Sequence, residues 1–275
     1  MLLNLELAKN GYNKNMSKRI KIISWNVNGI RATIKKGLWE FMKSDTAEIY
    51  CFQETKAKAE QVPNTFDVPT EYYSYFNSAE KAGYSGVATY TKIEPRIIIN
   101  GIEEEDTYVD REGRILITKF DEFTHLNVYF PNGKKDKGRL LFKMKFYEFF
   151  LKYINNLRSN GEKVIFCGDV NTAHDEIDLA RPDDNESISG FLPEEREWID
   201  NLVNNGWVDT YRMINGDKVE YSWWSARSGA RNRNVGWRID YFFVDEAIKD
   251  KVKNAFIMTE VLGSDHCPIG IELEI

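Results

Sequence analysis

Cysteine and histidine are scarce in this chain, with three of each among 275 residues. Cys51, Cys167 and Cys267 have no C-x-x-C spacing, are odd in number, and each lies in an apolar run (IYCFQ, VIFCG, DHCPI). Buried free thiols in a reducing compartment fit that pattern best. Proline is also sparse, and no Gly/Ser-rich linker divides the sequence, so one domain is favoured over two although the length admits either. No apolar stretch approaches a membrane span, and the first 18 residues lack the basic start and long apolar segment of a secretion signal. The expectation is a soluble intracellular protein.

The whole chain carries a net charge of −6, which argues against a protein that simply coats nucleic acid. Two stretches are nevertheless basic. Lys134–Arg139 carries +3, and Ala226–Arg238 carries +4 through Arg227, Arg231, Arg233 and Arg238 with no acid. Taken alone, either is more simply read as a solvated loop. Apolar runs rich in Ile, Val, Phe and Tyr predict strands at Ile20–Trp25, Ile49–Phe52, Gly86–Thr91, Ile115–Phe120, Leu126–Tyr129, Val164–Cys167, Ile239–Val244 and Ile269–Ile275. Helical spacing is confined to Gly37–Lys43, Leu140–Arg158 and Glu194–Asn204, the last with acids in its first turn. Helices falling between groups of strands suggest stacked sheets with helices outside. Met16 precedes what reads as a natural start, so residues 1–17 are expected to be a poorly ordered extension and 18–275 one domain. Apart from a loose echo between SWNVNG and FCGDVN there is no internal repeat.

The chemistry lies where polar residues end or interrupt the apolar runs. Ile20–Trp25 runs into Asn26, Ile49–Phe52 into Gln53 and Glu54, Leu126–Phe130 carries Tyr129, and Val164–Cys167 ends in Gly168, Asp169, Val170 and Asn171. Strand ends that release carboxylates and carboxamides at one sheet edge are how an oxygen-rich metal site is assembled, although a single acid after a strand is usually a turn or cap. Asp240 interrupts Trp237–Val244, and His266 follows Asp265 in a Gly/Pro-bounded loop. A histidine with acids nearby suits control of tautomer and basicity. His125 and His174 lack such company; for His174 a metal-ligand role is conceivable, but a plain polar loop is the simpler reading.

The series SWNVNGIR (24–31), QETK (53–56), YFPN (129–132), GDVN (168–171), NVGWRIDY (234–241) and GSDHCP (263–268) closely resembles the exonuclease III family of apurinic/apyrimidinic (AP) endonucleases. The resemblance runs from about Ile20 to Ile275 in the family's order, and six ordered motifs make coincidence implausible. It implies a four-layer αββα sandwich of the DNase I-like fold, with two mixed sheets face to face. It implies a DNA-repair phosphodiesterase that cuts on the 5′ side of abasic sites, with 3′-phosphodiesterase, 3′→5′ exonuclease or uridine-endonuclease activity as possible accompaniments. By the same resemblance Glu54 is the principal metal ligand with Asn26 and Asp265 close to the ion, Asp240 orients His266, and Asp169 activates water or protonates the leaving oxygen. Asn171 and Tyr129 would hydrogen-bond phosphoryl oxygens. Hard oxygen ligands favour Mg²⁺, with Mn²⁺ as a substitute, over Zn²⁺.

The resemblance also implies that Trp223, Trp237 and Ile239 wall a pocket for a flipped-out sugar without its base. Lys134, Lys135, Asn185, Arg227, Arg231, Arg233 and Asn234 are expected to meet DNA, chiefly its phosphates. The implied partner is double-stranded DNA with abasic or 3′-blocked damage. The protein would be a monomer in the cytoplasm beside the nucleoid, or in a eukaryotic nucleus. Two departures stand out: Asn28 occupies a position where many relatives have Asp, and the 181–190 loop is acidic where relatives are often basic. The alternatives are a sphingomyelinase- or inositol-phosphatase-like phosphoesterase of the same fold and, last, a catalytically dead DNA-binding protein. None of Glu54, Asp169, Asn171, Asp240 or His266 is lost, which argues against the dead protein.

Overall fold

The computed structural model describes residues 18–63, 70–104, 108–227 and 229–275. The expected extension, residues 1–17, lies outside them. In chain order the strands are β1 (Arg19–Asn26), β2 (Ile49–Gln53), β3 (Tyr73–Asn77), β4 (Val87–Thr91), β5 (Ile97–Asn100), β6 (Glu103–Glu104), β7 (Tyr108–Val109) and β8 (Ile115–Lys119). They continue as β9 (Thr124–Tyr129), β10 (Val164–Asp169), β11 (Trp207–Asp209), β12 (Trp223–Trp224), β13 (Gly236–Trp237), β14 (Asp240–Asp245), β15 (Val252–Ile257) and β16 (Ile269–Glu274). The helices are α1 (Ile30–Ile34), α2 (Leu38–Asp45), α3 (Lys137–Ser159), α4 (Pro193–Asn204) and α5 (Thr210–Asn215).

Two six-stranded sheets form the centre, in the orders β15-β16-β1-β2-β4-β3 and β11-β14-β10-β9-β8-β5. Only β1 with β2 and β10 with β9 pair in parallel within them, so both sheets are mixed. Along β10 the side chains alternate between two apolar environments: Ile165 and Cys167 face the other sheet, and Val164 and Phe166 face α3 and α4. Burial on both faces is why this strand reads as an unbroken apolar run. The outer face of the first sheet is covered by α2 through Leu38, Trp39 and Met42 against Trp25, Tyr50 and Phe52. The layers are therefore helix, sheet, sheet, helix: the four-layer αββα sandwich of the DNase I-like fold.

Every strand announced by an apolar run is present, with ends shifted by a residue or two. Within the two six-stranded sheets four strands were not announced, β3, β5, β11 and β15, and these are the edges; the two-stranded ribbons β6-β7 and β12-β13 were not announced either. β3 and β15 are partly exposed and mix polar with apolar residues, β5 is half exposed and its apolar run is only the three residues Ile97, Ile98 and Ile99, and β11 is only three residues long. All three cysteines are buried and free. No described helix is long and apolar enough to cross a membrane.

Gly168, just before the end of β10, adopts φ 139°, and a Cβ there would run into the backbone of Val128 on β9. Gly168→Ala should lower unfolding stability by about 3 kcal/mol or more, read from the urea midpoint. A midpoint equal to wild type would contradict the close approach of these strands.

Candidate active site

Register brings the polar strand ends together. Asp169, the last residue of β10, lies opposite Asp240 on β14 and beside Tyr129 on β9. Asn26, at the end of β1 in the other sheet, donates through Nδ2 to Asp169 Oδ2 at 2.9 Å and to Glu54 Oε1 at 3.0 Å. Glu54 directly follows β2 with φ 50°, and its Oε1 also accepts the Tyr129 hydroxyl at 2.8 Å. Asp169 accepts from the Asn171 backbone N–H at 2.8 Å and from Asn171 Nδ2 at 3.1 Å. His266 Nδ1 lies 2.8 Å from Asp240 Oδ2, and its Nε2 points toward Asp169 Oδ2 at 3.9 Å. Ser222 Oγ donates to the same Asp240 oxygen at 2.6 Å. Asp240 Oδ1 is buried without a partner.

These contacts set the protonation states. Burial disfavours the charged imidazole, but Asp240, Asp169 and Asp265 outweigh it and raise His266 to about 10, so the ring is cationic near neutrality. Burial, assisted by the Asp240 and Glu54 carboxylates, lifts Asp169 well above the ordinary carboxylate range against the pull of His266. Glu54 goes the other way. Burial pushes it up, but the Lys56 charge and hydrogen bonds from Asn26, Lys56 and Tyr129 hold it below its ordinary value.

Glu54 already receives a cation: Lys56 Nζ sits 2.8 Å from its Oε2 and also donates to Asn28 Oδ1. Asn28 Nδ2 in turn donates to Asp265 Oδ1 at 3.0 Å. Asn26 therefore touches Glu54 directly, whereas Asp265 joins Glu54 through the Lys56–Asn28 bridge. Asp169, Asp240 and His266 form an acidic group in which one donor atom from each lies within 4.8 Å of the others. The surroundings fit a hard cation: anionic oxygens, no thiolate, and a positive charge drawn to Glu54.

Beside this cluster, β12 and β13 form a short ribbon in which Trp223 pairs with Trp237. The two indoles meet edge to face at 6.3 Å, and Trp237 and Ile239 pack with Ala173, Leu179 and Phe191. Trp223 Nε1 donates to Asp265 Oδ2 at 3.1 Å, and its ring lies 6.4 Å from that of His266. An apolar wall thus adjoins the carboxylate cluster.

The sequence matches the Endonuclease/Exonuclease/phosphatase family over residues 23–266. It is 43% identical over 258 residues to an exodeoxyribonuclease of Bacillus subtilis, covering 93% of this chain and all of that one. It is 38% identical over 261 residues to a DNA-(apurinic or apyrimidinic site) endonuclease of Dictyostelium discoideum, covering 94% of this chain and 71% of that one. The chain belongs to the exonuclease III family of AP endonucleases. The crystal structure of an AP endonuclease from Leishmania major superposes with a TM-score of 0.84 at 30% identity, covering 94% of this chain and 88% of that one.

Within this family frame the expected DNA contacts divide. Lys134 and Lys135 are exposed, and the Lys134 ammonium lies 5.0 Å from both the Trp223 and Trp237 rings. Arg227 and Arg233 are also exposed. Arg231 differs: its guanidinium donates to the carbonyls of Thr259, Val261 and Ser264 and covers Trp224 at 4.6 Å. It ties two loops together and has its donors committed inside the protein. Asn234 accepts from Trp224 Nε1 at 3.1 Å, and Asn185 donates to the Arg181 carbonyl at 2.8 Å, so both side chains brace their own loops. Arg238 is fully buried, bound to Asp178 at 2.7 and 3.1 Å and to Asp209 at 2.8 Å. The basic run 226–238 thus presents Arg227 and Arg233 outward and spends Arg231 and Arg238 internally.

Several supporting residues escaped sequence reasoning. Arg114 is buried against the Tyr129 ring at 4.6 Å and donates to the Tyr129 carbonyl at 2.8 Å. Lys143 on α3 is buried and holds the Asn171 carbonyl at 2.7 Å while paired with Glu195 at 2.6 Å. Neither lies in a motif, so no local signal marked them. Lys56 lies inside the QETK motif and Ser222 directly precedes Trp223, and those positions were the available signal. His174 bonds Asp200 at 2.9 Å, and a donor atom of its ring also lies within 4.8 Å of carboxylate oxygens of Asp175 and Asp178.

Arg238→Leu leaves Asp209 without its buried cation and Asp178 with Arg212 alone, and should cost about 3–5 kcal/mol of unfolding free energy. Arg227→Ala and Arg233→Ala should leave stability within about 0.5 kcal/mol of wild type. Urea titration of the three variants checks this, and equal losses would contradict the assignment of buried and exposed arginines.

Proposed function

We propose that this chain is a Mg²⁺-dependent AP endonuclease that hydrolyses the DNA backbone on the 5′ side of an abasic nucleotide. The observation that carries the reading is the convergence of Asp169, Asn171, Tyr129 and the Asp240–His266 pair beside an apolar wall of Trp223, Trp237 and Ile239. We read residues 18–275 as one catalytic unit acting on damaged duplex DNA as a monomer. Glu54 would hold Mg²⁺ with Asn26 and Asp265 close by, and Mn²⁺ would substitute. The bound ion supplies positive charge to the phosphoryl group as negative charge grows there.

The remaining work falls to the chain's own groups. Asp240 takes the Nδ1 side of His266, which leaves the Nε2–H of a cationic ring to face a phosphoryl oxygen. Asn171 and Tyr129 add hydrogen-bond donors for the other oxygens. Asp169, with its raised pKa, suits proton exchange with the attacking water or the departing 3′-oxygen. The apolar wall would favour a sugar without a base, because such a nucleotide costs little to unstack and presents no polar edge to desolvate. Exposed Lys134, Lys135, Arg227 and Arg233 would meet phosphates and set position without reading sequence.

A labelled duplex with one tetrahydrofuran abasic analogue tests the proposal, beside undamaged and uracil-bearing duplexes, with Mg²⁺ or with EDTA. Cleavage is expected on the 5′ side of the analogue with Mg²⁺ only; no cleavage by the folded protein would overturn the reading in favour of another phosphoester substrate. Asp169→Asn should lower the single-turnover rate by about 10³-fold or more with duplex affinity retained. Trp237→Ala should reduce the preference for the abasic duplex by about tenfold while changing general DNA affinity little. Near-normal turnover of Asp169→Asn would refute the role given to that carboxyl.

A further inference from the structure

We propose that Cys51, His125 and Cys167 form a buried site for a thiophilic divalent ion of the zinc type, clipping the two sheets together away from the catalytic cluster. Cys51 lies on β2 of one sheet, and His125 and Cys167 lie on β9 and β10 of the other. All three side chains are completely buried. Cys167 Sγ lies 3.4 Å and Cys51 Sγ 3.8 Å from His125 Nε2. Sulfur and imidazole nitrogen around one tetrahedral zinc ion, with bonds of about 2.3 and 2.0 Å, stand about 3.5 Å apart. The observed separations bracket that value, and one donor atom from each of the three residues falls within 4.8 Å of the others.

The surroundings make the histidine hard to explain otherwise. The neighbouring inward-facing side chains include Ile22, Ile49, Ile165 and Phe242, with the buried hydroxyls of Ser24, Thr89 and Thr118 as polar company. Among the described residues, only the two thiols approach the His125 ring nitrogens within hydrogen-bonding range. Thiols are weak partners, and a buried imidazole served only by them is costlier than an apolar residue of similar size. A divalent ion removes that cost: it binds one ring nitrogen, displaces one proton from each thiol to solvent, and forms a neutral unit with two thiolates. Neutrality favours a divalent over a monovalent ion in so dry a place. The hydroxyls of Thr89 and Ser24 lie beside the Cys51 and Cys167 sulfurs, respectively, and are available to hydrogen-bond the thiolates.

The site is distinct from the one that handles DNA. Gln53 and Asn127, joined at 2.8 Å, separate it along β2 and β9 from Glu54 and Tyr129. Complete burial means that the ion would be acquired as the sheets close during folding.

The test uses the full chain, unfolded with denaturant, reductant and chelator, and refolded with Co²⁺ or Cd²⁺ in reductant and excess Mg²⁺. The expected result is one ion retained per chain after desalting, with the sulfur-to-metal charge-transfer absorption that only thiolate ligation gives. C51A/C167A should lose both the ion and the absorption, and His125→Leu should weaken retention by at least about tenfold. Cys167→Ser, close in size, serves if the double variant fails to fold. Refolded wild type without the absorption band would overturn the proposal, as would retention of the ion by C51A/C167A equal to wild type. Nuclease activity is not the readout, so failure here and failure of the abasic-site reading are separable.

Discussion

Three hydrogen bonds between the sheets hold the polar cluster together: Asn26 to Asp169, Tyr129 to Glu54, and the Asp240–His266 pair. The sheets follow different strand orders along the chain but one sequence of pairing senses, antiparallel on either side of a single parallel pair, so by position β1 matches β10, β2 matches β9, and β16 matches β14. Each bond joins residues at corresponding strand ends. Asn26 and Asp169 end β1 and β10, Tyr129 ends β9 and Glu54 follows β2, while Asp240 begins β14 and His266 precedes β16 by three residues. Face-to-face packing of like sheets therefore brings residues far apart in sequence to one rim. The positions of Gly168, Arg114 and Lys143 make sense as supports for that rim: one permits the close approach of β10 to β9, and the others lock Tyr129 and the Asn171 segment.

The assembly places Glu54, Asp169, Asp240 and Asp265 close together, and like charges so near one another cannot all remain ionised without compensation. The structure answers with His266, made cationic by three carboxylates, and with Lys56 seated on Glu54. Asp169 carries the residual strain and binds its proton more tightly than an ordinary carboxyl. Asn28 in place of a further acid limits the accumulated negative charge and, with its amide, passes hydrogen bonds between Lys56 and Asp265. On the far side, Arg238 with Asp178 and Asp209 uses buried charge purely to hold the loops behind the aromatic wall.

Much of this was legible from residue order because strands buried on both faces advertise themselves as apolar runs, and the polar residues that end them are the ones the fold gathers at one rim. The edge strands were silent since half-exposed or very short segments carry no such pattern. The echo of SWNVNG in FCGDVN, weak as text, corresponds to equivalent central strands. Charge was the least readable property: four arginines in 226–238 look alike in sequence, yet two are exposed and two serve internal bonds. His125 was passed over because its partners, Cys51 and Cys167, lie 74 and 42 positions away. Arg114 and Lys143 were invisible for the same reason, as only folding brings their cations to the segments they hold.

The most direct test of the central claim is a double-mutant cycle on the bond that joins the two central strands, reading single-turnover incision of an abasic duplex for Asn26→Ala, Asp169→Asn and the double variant. If the two residues act as one unit, the double variant should be scarcely slower than Asp169→Asn alone, because the partner that Asn26 serves is already disabled. Rate losses that simply multiply would mean that Asn26 and Asp169 act independently, and would contradict the account of a site assembled through bonds across the sheets.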